Sequence, residues 1–410
     1  MVGIDNNPYA GIDWESIGQF KYQYHAHVRD FYDEVAELID FYAGDGVDSN
    51  GIALHEGDEY ELPAPSWNSG PNCPYWPWDN LSQYDCWGEN RDATEVGDGV
   101  VALPSTEVGP TNHVNALFGY GRDDDYGEHV DIENLEELVE YLVDDEEYTE
   151  VDGSDETPLV IPAHPQRYYL ESSSSTHADE GLEMYLEIFE KHSLEDGLIG
   201  IEALTKEWDD HRDFQGEEFA TRWGNVELTG LIMDEIRRPL WVFGADDPND
   251  GELGFDMDRR WTTVLLDPSD YDPDNQASSR RAIYDAIKNG HLFASQRVKW
   301  DPDTDQPADV PEIESVVVDE SSETITIETD GQVRWINAQF GVDMGDEIET
   351  GETFNWGEHE NVVSGRHIFP HVTTGNPDGE TLLQPFTFDG EQIDIPKVTL
   401  GDVSIGDALF

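Results

Sequence analysis

Residues Phe20–Gly46, FKYQYHAHVRDFYDEVAELIDFYAGDG, combine a strand pattern with a helix pattern. In the first third, side chains alternate with the two-residue period of a β-strand, which places His25 and His27 on one face. Farther along, apolar residues recur at helical spacing up to a glycine that ends the helix: Phe31, Val35, Leu38, Ile39, Tyr42 and Gly44. The stretch therefore predicts a strand–helix unit with two imidazoles on its strand, either as metal ligands or as a polar pair on a solvated edge.

The same order of strand and helix repeats through the first three quarters of the chain. Short apolar runs predict strands at 51–56, 99–104, 159–165, 197–204 and 239–247. Apolar residues at helical spacing predict helices at 131–145, 181–193, 226–238 and 278–290, the last of which ends at a glycine. Strands separated by helices indicate a parallel sheet, and the number of units favours an α/β barrel.

The pattern changes at the linker-like segment WDPDTDQPADVPE, residues 300–312. Beyond it the chain alternates with period two, and Asp330-Gly331 predicts a β-hairpin turn. These features predict a barrel-like domain at residues 1–307 and a small all-β sandwich domain at residues 308–410. A Pro- and Trp-rich insertion at about 60–98 in the first domain holds Cys73 and Cys86, as two thiols or as one disulfide.

The chain is strongly acidic over its whole length. Its 92 Asp and Glu against 21 Lys and Arg give a formal net charge of −71. Repulsion among so many carboxylates destabilises a compact state in dilute salt, but it is screened at molar salt, where the Debye length is about 3 Å. Hydrophobic residues make up 37% of the chain, which is enough to build a core. The composition therefore predicts a folded protein of a halophilic system that works in high salt.

Charge and hydropathy also bear on partners and location. Direct binding to nucleic acid is not expected, because contacts to phosphate backbones need Lys and Arg. No run of about 18 apolar residues is present to span a membrane. Residues 1–16 lack the basic and apolar regions of a secretory signal. We therefore expect the cytoplasm of a haloarchaeon, with a virion or a cell surface as the alternative.

Polar residues with metal-binding side chains occur at five of the predicted strands. They are His25 and His27, then Glu107 with His113, then His164, then Glu202, and finally Asp246 with Asp247. Since sites of α/β barrels are built at the carboxyl ends of the strands, we expect these side chains to converge. Glu202 is either a ligand or a buried, hydrogen-bonded acid. Imidazoles with carboxylates suit Zn, Mn or Fe, and a bridging carboxylate can hold two ions about 3.5–4 Å apart.

In this order the segments resemble the polymerase and histidinol phosphatase (PHP) superfamily. QYHAHV is similar to its opening strand, VVALPSTEV to the strand with its motif Glu, and NHVNALFGYG to the following His segment. VIPAHP is similar to its late His-Pro strand, VFGADDPND to its terminal Asp-x-His, and AIYDAIKNGHLFAS to its closing helix and strand. The likeness covers roughly residues 15–300. It implies a distorted (β/α)7 barrel that binds up to three metal ions and hydrolyses phosphate esters.

The resemblance also implies roles for individual residues, carried over by position. One metal ion would be held by His25, His27, Glu107 and Asp247, and a second by Glu107, His113 and His164. The site would hold one or two divalent ions, each of them Zn, Mn or Fe. Catalytic roles would fall to Glu107 and His55. Independently of the resemblance, Arg167 is one of few basic residues near these positions, where it either pairs with a substrate phosphate or neutralises local acids.

Two positions depart from the family pattern. The family has Thr-Asp-His after its second strand, whereas Gly57 stands at that histidine position here, and His55 would serve only after a shift of one residue. The terminal histidine of Asp-x-His is replaced by Asn249. An amide oxygen is a weaker ligand than imidazole for Zn or Mn. The implied site therefore has two metal ions at most.

Two functions are compatible with this sequence. The first is a metal-dependent phosphoesterase of the PHP type, in which a hydroxide activated by two metal ions attacks a small phosphate ester or phosphodiester. The alternative is a catalytically degenerate PHP barrel that serves as a structural or recognition component of a cell surface or virion. The first requires a small phosphate-containing substrate, and the second requires a homo-oligomer or an assembly partner.

The charge leads to a test of the predicted salt requirement. We expect the melting temperature to fall as KCl is lowered from molar concentration to about 0.1 M, because the Debye length grows from about 3 Å to about 10 Å and carboxylate repulsion returns. Circular dichroism melts across a KCl series measure this. A melting temperature that does not change with KCl would contradict the prediction.

Overall fold

The structure of the protein is a computed structural model, and it describes residues 2–25, 51–56, 101–108, 113–118, 134–144, 156–163, 165, 175–204, 228–245, 260–297, 300–301, 306–307, 309–337, 346–374 and 379–390. Within these residues no helix is long and apolar enough to cross a membrane. Several predicted features lie outside them. These are the helix after the first strand, the 60–98 insertion with both cysteines, and residues His27, Gly57, His164, Arg167, Asp246, Asp247 and Asn249.

The described residues up to Arg297 form a mixture of strands and helices. The strands are β1 Ile4–Asn6, β2 Gly18–Gln23, β3 Gly51–Glu56, β4 Val101–Val108, β5 Val114–Leu117, β6 Leu159–Pro162, β7 Gly200–Leu204, β8 Trp241–Gly244, β9 Arg260–Leu266 and β10 Leu292–Arg297. The helices are Leu135–Asp144, Ser175–Lys191, residues 228–236 and Gln276–Lys288, with a 3-10 turn at Pro268–Asp270. The five strands and four helices predicted between residues 51 and 290 are thereby confirmed, with shifted ends.

The regular secondary structure of the remaining described residues is almost entirely strand, as predicted. They are β11 Trp300–Asp301, β12 Gln306–Pro307, β13 Ile313–Asp319, β14 Thr324–Thr329, β15 Gln332–Asn337, β16 Asp346–Thr350, β17 Thr353–Asn355, β18 His367–Thr373, β19 Gly379–Leu383 and β20 Phe386–Phe388. A single helical turn lies at Glu360–Val363. Apolar side chains of β13, β14 and β17 pack in one cluster with those of β15, β18 and β20, so that two sheets share an apolar layer.

A sheet of thirteen strands runs through both parts of the described chain. Its order is β1-β20-β18-β19-β10-β9-β2-β3-β4-β5-β6, and β15 adds to β18 with β16 beside it. A parallel pair β7–β8 is separate, and a parallel bridge from Val160 to Leu198 connects β6 with the residues before β7. Because β10 pairs with β19, the sheet crosses the predicted boundary at residue 307, and the division into domains stays a prediction.

The fold is mixed α/β and rich in sheet, but the described strands do not close into the expected (β/α)7 barrel. Strands β2, β3 and β4 are parallel, as predicted. Strand β5 then runs antiparallel between β4 and β6. Only residues 109–113 separate β4 from β5, which is fewer than a parallel crossover requires. Strands β9 and β10 are also antiparallel to their neighbours.

The predicted hairpin at Asp330-Gly331 is wrong. Strand β14 pairs with β13 and β17, whereas β15 pairs with β16 and β18, so this link joins two different sheets. Asp330 Oδ1 instead accepts a hydrogen bond from the Glu312 amide at 2.9 Å. A Cβ on residue 331 would lie 2.5 Å from Val372 and 2.9 Å from Pro311. Glycine is therefore required here by the close approach of the two layers.

The glycine predicted to end the last helix has that role. The helix ends at Lys288, Asn289 caps it, and Gly290 follows with φ of +75°. An added Cβ would lie 2.8 Å from the Trp241 ring. The glycine thus provides both a left-handed backbone and room for the indole that packs against the helix end.

A substitution at this glycine separates the two effects. We expect Gly290→Ala to lower the free energy of unfolding by about 1–3 kcal/mol, because it adds backbone strain and a clash with Trp241. Gly11→Ala is the matched control, since Gly11 has φ of +82° and nothing within 4 Å of the added Cβ. Urea unfolding in molar KCl measures both. Equal losses in the two variants would show that the Trp241 contact contributes nothing.

Candidate metal centre

The first histidine of the opening motif lies just beyond a strand. Strand β2 ends at Gln23, and Tyr24 and His25 continue the chain with exposed fractions of 1% and 0%. The prediction that His25 belongs to the strand is therefore wrong. The parallel pairing of β2 with β3 involves only Tyr22 and Gln23, so hydrogen bonding to β3 stops before the histidine. His25 follows the carboxyl end of β2, which is where a strand-end site was expected.

Four buried side chains from three parts of the chain meet at this strand end. His25 Nδ1 lies 2.9 Å from Glu202 Oε1, and both side chains have an exposed fraction of 0%. The Tyr24 hydroxyl donates a hydrogen bond to the same oxygen at 2.8 Å. Asn115 Nδ2 lies 3.3 Å from His25 Nδ1 and 3.4 Å from Glu202 Oε1. We call these four residues the His25 cluster.

The two tyrosines around this strand end are held by side-chain contacts. Tyr22 donates a hydrogen bond to the Val101 carbonyl at 3.2 Å, which connects β2 with the start of β4. Burial raises the pKa of the Tyr22 phenol well above its ordinary value, so the phenol stays protonated and remains a donor. The Tyr24 ring meets Phe243 of β8 edge to face, with 5.7 Å between the ring centroids. Both contacts hold the chain that leads into His25.

Strand β5 supplies the amide of the His25 cluster and a second buried histidine. Asn115 lies within β5, and His113 comes directly before the strand with an exposed fraction of 6%. The amide of Ala163 donates to the His113 carbonyl at 3.0 Å, so the extended chain includes His113. Two residues of extended chain span about 6.6–6.8 Å. The structure therefore places His113 one strand repeat from Asn115.

Two further predicted site residues are placed through their backbones. Glu107 of β4 is the register partner of Asn115, directly across the antiparallel pair β4–β5. His55 of β3 is the register partner of Ser105, two residues before Glu107. His25 follows β2, Glu107 lies in β4 and His113 precedes β5, so the three residues belong to strands that are neighbours in the order β2-β3-β4-β5. His27, His164, Arg167 and Asp247 lie outside the described residues, so their predicted roles stay predictions.

The donor set of the His25 cluster fits a divalent metal ion in part. A carboxylate can only accept a hydrogen bond, so the contact with Glu202 favours the tautomer with a proton on Nδ1. This leaves Nε2 as the ring nitrogen that would bind a metal, which is the usual carboxylate–histidine–metal arrangement. Among the described residues, Asn115 Oδ1 is buried without a hydrogen-bond partner. Within that same part of the chain, no group of three or more His, Cys, Asp or Glu is assembled.

Sequence reasoning found His25 and left Glu202 undecided, but it missed Tyr24 and Asn115. The structure shows Glu202 as a buried partner of His25. The available signal was a lone acid in the apolar strand GIEAL, since a charged side chain there must be paired. Asn115 gave a similar signal in the run VNAL. Tyr24 gave none, because a tyrosine in a strand is ordinary.

Comparisons with known proteins give one structural likeness. The chain matches no family model, and no curated protein matches it significantly. It is similar in structure to a two-domain protein from Bacteroides vulgatus ATCC 8482 that contains a predicted PHP-like metal-dependent phosphoesterase. The likeness covers 93% of this chain and 90% of that chain, with 13% sequence identity and a TM-score of 0.40. At that TM-score the two backbones differ too much for the likeness to define this chain's fold or activity.

The contact between His25 and Glu202 predicts how metal affinity depends on the acid. We expect Glu202→Gln to weaken binding of Mn or Zn by about 10- to 100-fold, because the amide no longer fixes the imidazole tautomer. Titration of the metal-free protein in molar KCl measures the affinity. Glu183→Gln, which removes an exposed acid, is the matched control. Equal affinity in the two variants would show that Glu202 does not act on a metal ligand.

Proposed function

We propose that the chain is a metal-dependent phosphoesterase of the PHP type that acts on a small phosphate ester or phosphodiester. The observation that carries this proposal is the fully buried contact between His25 and Glu202 at a strand end. Burial of ionisable groups costs free energy, and such groups persist mainly where function or a specific network requires them. The histidines and carboxylates that occur at successive predicted strands of the sequence support the same conclusion.

The residues that would hold metal ions are those of the sequence motif. His25 would bind through Nε2, and His27, Glu107, His113, His164 and Asp247 would complete one or two Zn, Mn or Fe sites. A bound divalent ion supplies Lewis-acid stabilisation of the charge that develops on phosphoryl oxygens.

The other members of the His25 cluster act on His25 itself. Glu202 holds the proton of His25 at Nδ1, and Tyr24 donates to the same Glu202 oxygen. Asn115 adds an amide within 3.4 Å of both His25 Nδ1 and Glu202 Oε1. Because all four side chains are buried, the imidazole has little freedom to rotate and bulk water is excluded from Nδ1.

A hydrolysis assay tests the proposal. We expect protein purified in molar KCl with Mn to hydrolyse generic phosphate monoesters or diesters, and a chelator to abolish the activity. His25→Ala and Glu107→Ala should each lower kcat/KM by about 100-fold or more, because each removes a proposed metal ligand. His359→Ala is the control, since His359 is a partly exposed partner of Glu349 in the C-terminal strands.

The outcome also separates the two functions that the sequence left open. Bound metal without hydrolysis of any ester would contradict the phosphoesterase. Absence of both metal and hydrolysis would favour the degenerate barrel with a structural or recognition role. Unchanged activity in His25→Ala would place the reaction elsewhere in the chain.

A further inference from the structure

Arg260, the first residue of β9, is a buried cation in a chain of net charge −71. Its exposed fraction is 8%, whereas arginine is almost always exposed unless it is paired. Taking a guanidinium out of water costs free energy, which other contacts must offset. A buried arginine here therefore calls for a specific role, and its surroundings indicate one.

Contacts of β9 place Arg260 at the same strand ends as the His25 cluster. The Thr262 hydroxyl donates to the Gly244 carbonyl at 3.0 Å and lies 3.1 Å from the Gly244 amide, so Thr262 faces the end of β8. In the parallel pair β7–β8, Glu202 is the register partner of Phe243, the residue before Gly244. Arg260 lies two residues from Thr262 and thus on the same face of β9, beyond the end of β8.

A second contact leads to the same end of the sheet. The Gln23 side chain donates a hydrogen bond to the backbone carbonyl of Arg260. Gln23 is the last residue of β2 and lies two residues before His25. Strand β2 leads towards His25, and β8 is the partner of β7, the strand that carries Glu202. Two independent contacts thus place the backbone of Arg260 at the strand ends that also carry the His25 cluster.

A buried chain of polar side chains fixes the Arg260 guanidinium. Arg260 Nε donates to Gln296 Oε1 at 3.2 Å, and Gln296 Nε2 donates to Glu380 Oε1. The other oxygen of Glu380 lies 2.8 Å from His371 Nε2. The exposed fractions of Gln296, Glu380 and His371 are 3–4%. These hydrogen-bonded side chains belong to the adjacent strands β9, β10, β19 and β18.

The chemistry of these side chains determines the direction of each hydrogen bond between them. An ionised carboxylate has no proton to donate, so the Gln296 NH₂ group must face Glu380. The Gln296 oxygen then necessarily faces Arg260, where it accepts from Nε. Anchoring at Nε fixes the plane of the guanidinium. The C-terminal strands thus orient an arginine at the strand ends of the first part of the chain.

We propose that Arg260 binds the phosphoryl group of the substrate and that Gln296, Glu380 and His371 are positioning residues for its guanidinium. The inference rests on the proposed phosphoesterase function and names the residue that recognises the anion. A planar guanidinium matches phosphate in a bidentate geometry and is charged at every working pH. The acidic surface repels an anionic substrate, so a fixed cation at the site is needed to retain it.

The alternative interpretation is that the same four residues have only a structural role. They would fasten β9, β10, β19 and β18 together, and Arg260 would have no contact with a ligand. That reading predicts that Arg260 variants lose stability and keep their affinity for phosphate. The two readings therefore differ in a binding measurement made on folded protein.

Binding of inorganic phosphate to the Mn-loaded, full-length protein in molar KCl tests the proposal by isothermal titration calorimetry. We expect Arg260→Gln to raise the Kd for phosphate by about 10- to 100-fold, the loss of charge-assisted hydrogen bonds. Arg260→Lys keeps the charge but not the planar fork, so it should fall between. Glu380→Gln lets the Gln296 amide flip and should raise the Kd by a smaller factor. Arg281→Gln, which removes an arginine paired with Glu156 on a helix surface, is the control and should match the wild type.

The outcomes separate this inference from the proposed function. Unchanged phosphate affinity in folded Arg260→Gln, or no phosphate binding by the wild type, would overturn the inference, even if the enzyme hydrolyses esters. Loss of phosphate binding in Arg260→Gln without any hydrolysis by the wild type would support the anion site and reject the enzyme. If Arg260→Gln does not fold, Arg260→Lys decides, because wild-type affinity in that variant contradicts a bidentate contact. Metal content, measured in every variant, should stay constant.

Discussion

Strand β9 is the element on which the rest of the described structure depends, because it is hydrogen-bonded along both edges. On one edge it pairs with β2 from Leu266 opposite Gly18 to Thr262 opposite Tyr22. On the other edge it pairs with β10, which continues to β19 and the C-terminal strands. All seven of its residues are buried. The strand that leads into His25 and the C-terminal strands are therefore held in one sheet.

This continuity gives the C-terminal strands a direct connection to the candidate site. A buried polar chain from His371 to Arg260 crosses the same strands that form the sheet. Buried polar networks are costly when incomplete and rigid when satisfied. Placing Arg260 in such a network fixes the position of one positive charge in a chain of net charge −71. A strongly acidic chain thus keeps this arginine in its interior.

The sequence predicted those strands whose burial is almost continuous. Strands β6, β7 and β8 read as apolar runs because both their faces are covered. Strand β9 was missed because Arg260, Thr262 and Thr263 interrupt the apolar pattern, although the structure buries all three. The Thr262 hydroxyl is bound by the Gly244 backbone and Arg260 Nε by Gln296, which are partners that no local pattern shows.

Pairing between strands was harder to predict than the strands themselves. Asp330-Gly331 is a strong local signal for a hairpin turn. Nevertheless β14 and β15 pair within different sheets, and Gly331 lies where the two layers approach closely. The same limit applied at the site. The order of metal-type residues predicted His25, but its contacts with Glu202 and Asn115 join residues about 90 to 180 positions apart, a consequence of strand order in space.

The central claim is that His25 is a metal ligand oriented by Glu202. Anomalous diffraction from crystals grown in molar salt with Mn, recorded at the manganese edge, tests it most directly. The account predicts an anomalous peak within about 2.0–2.3 Å of His25 Nε2, with Nδ1 still on Glu202. Well-ordered density for His25 with no peak at coordination distance, while Mn is bound elsewhere in the chain, would contradict it.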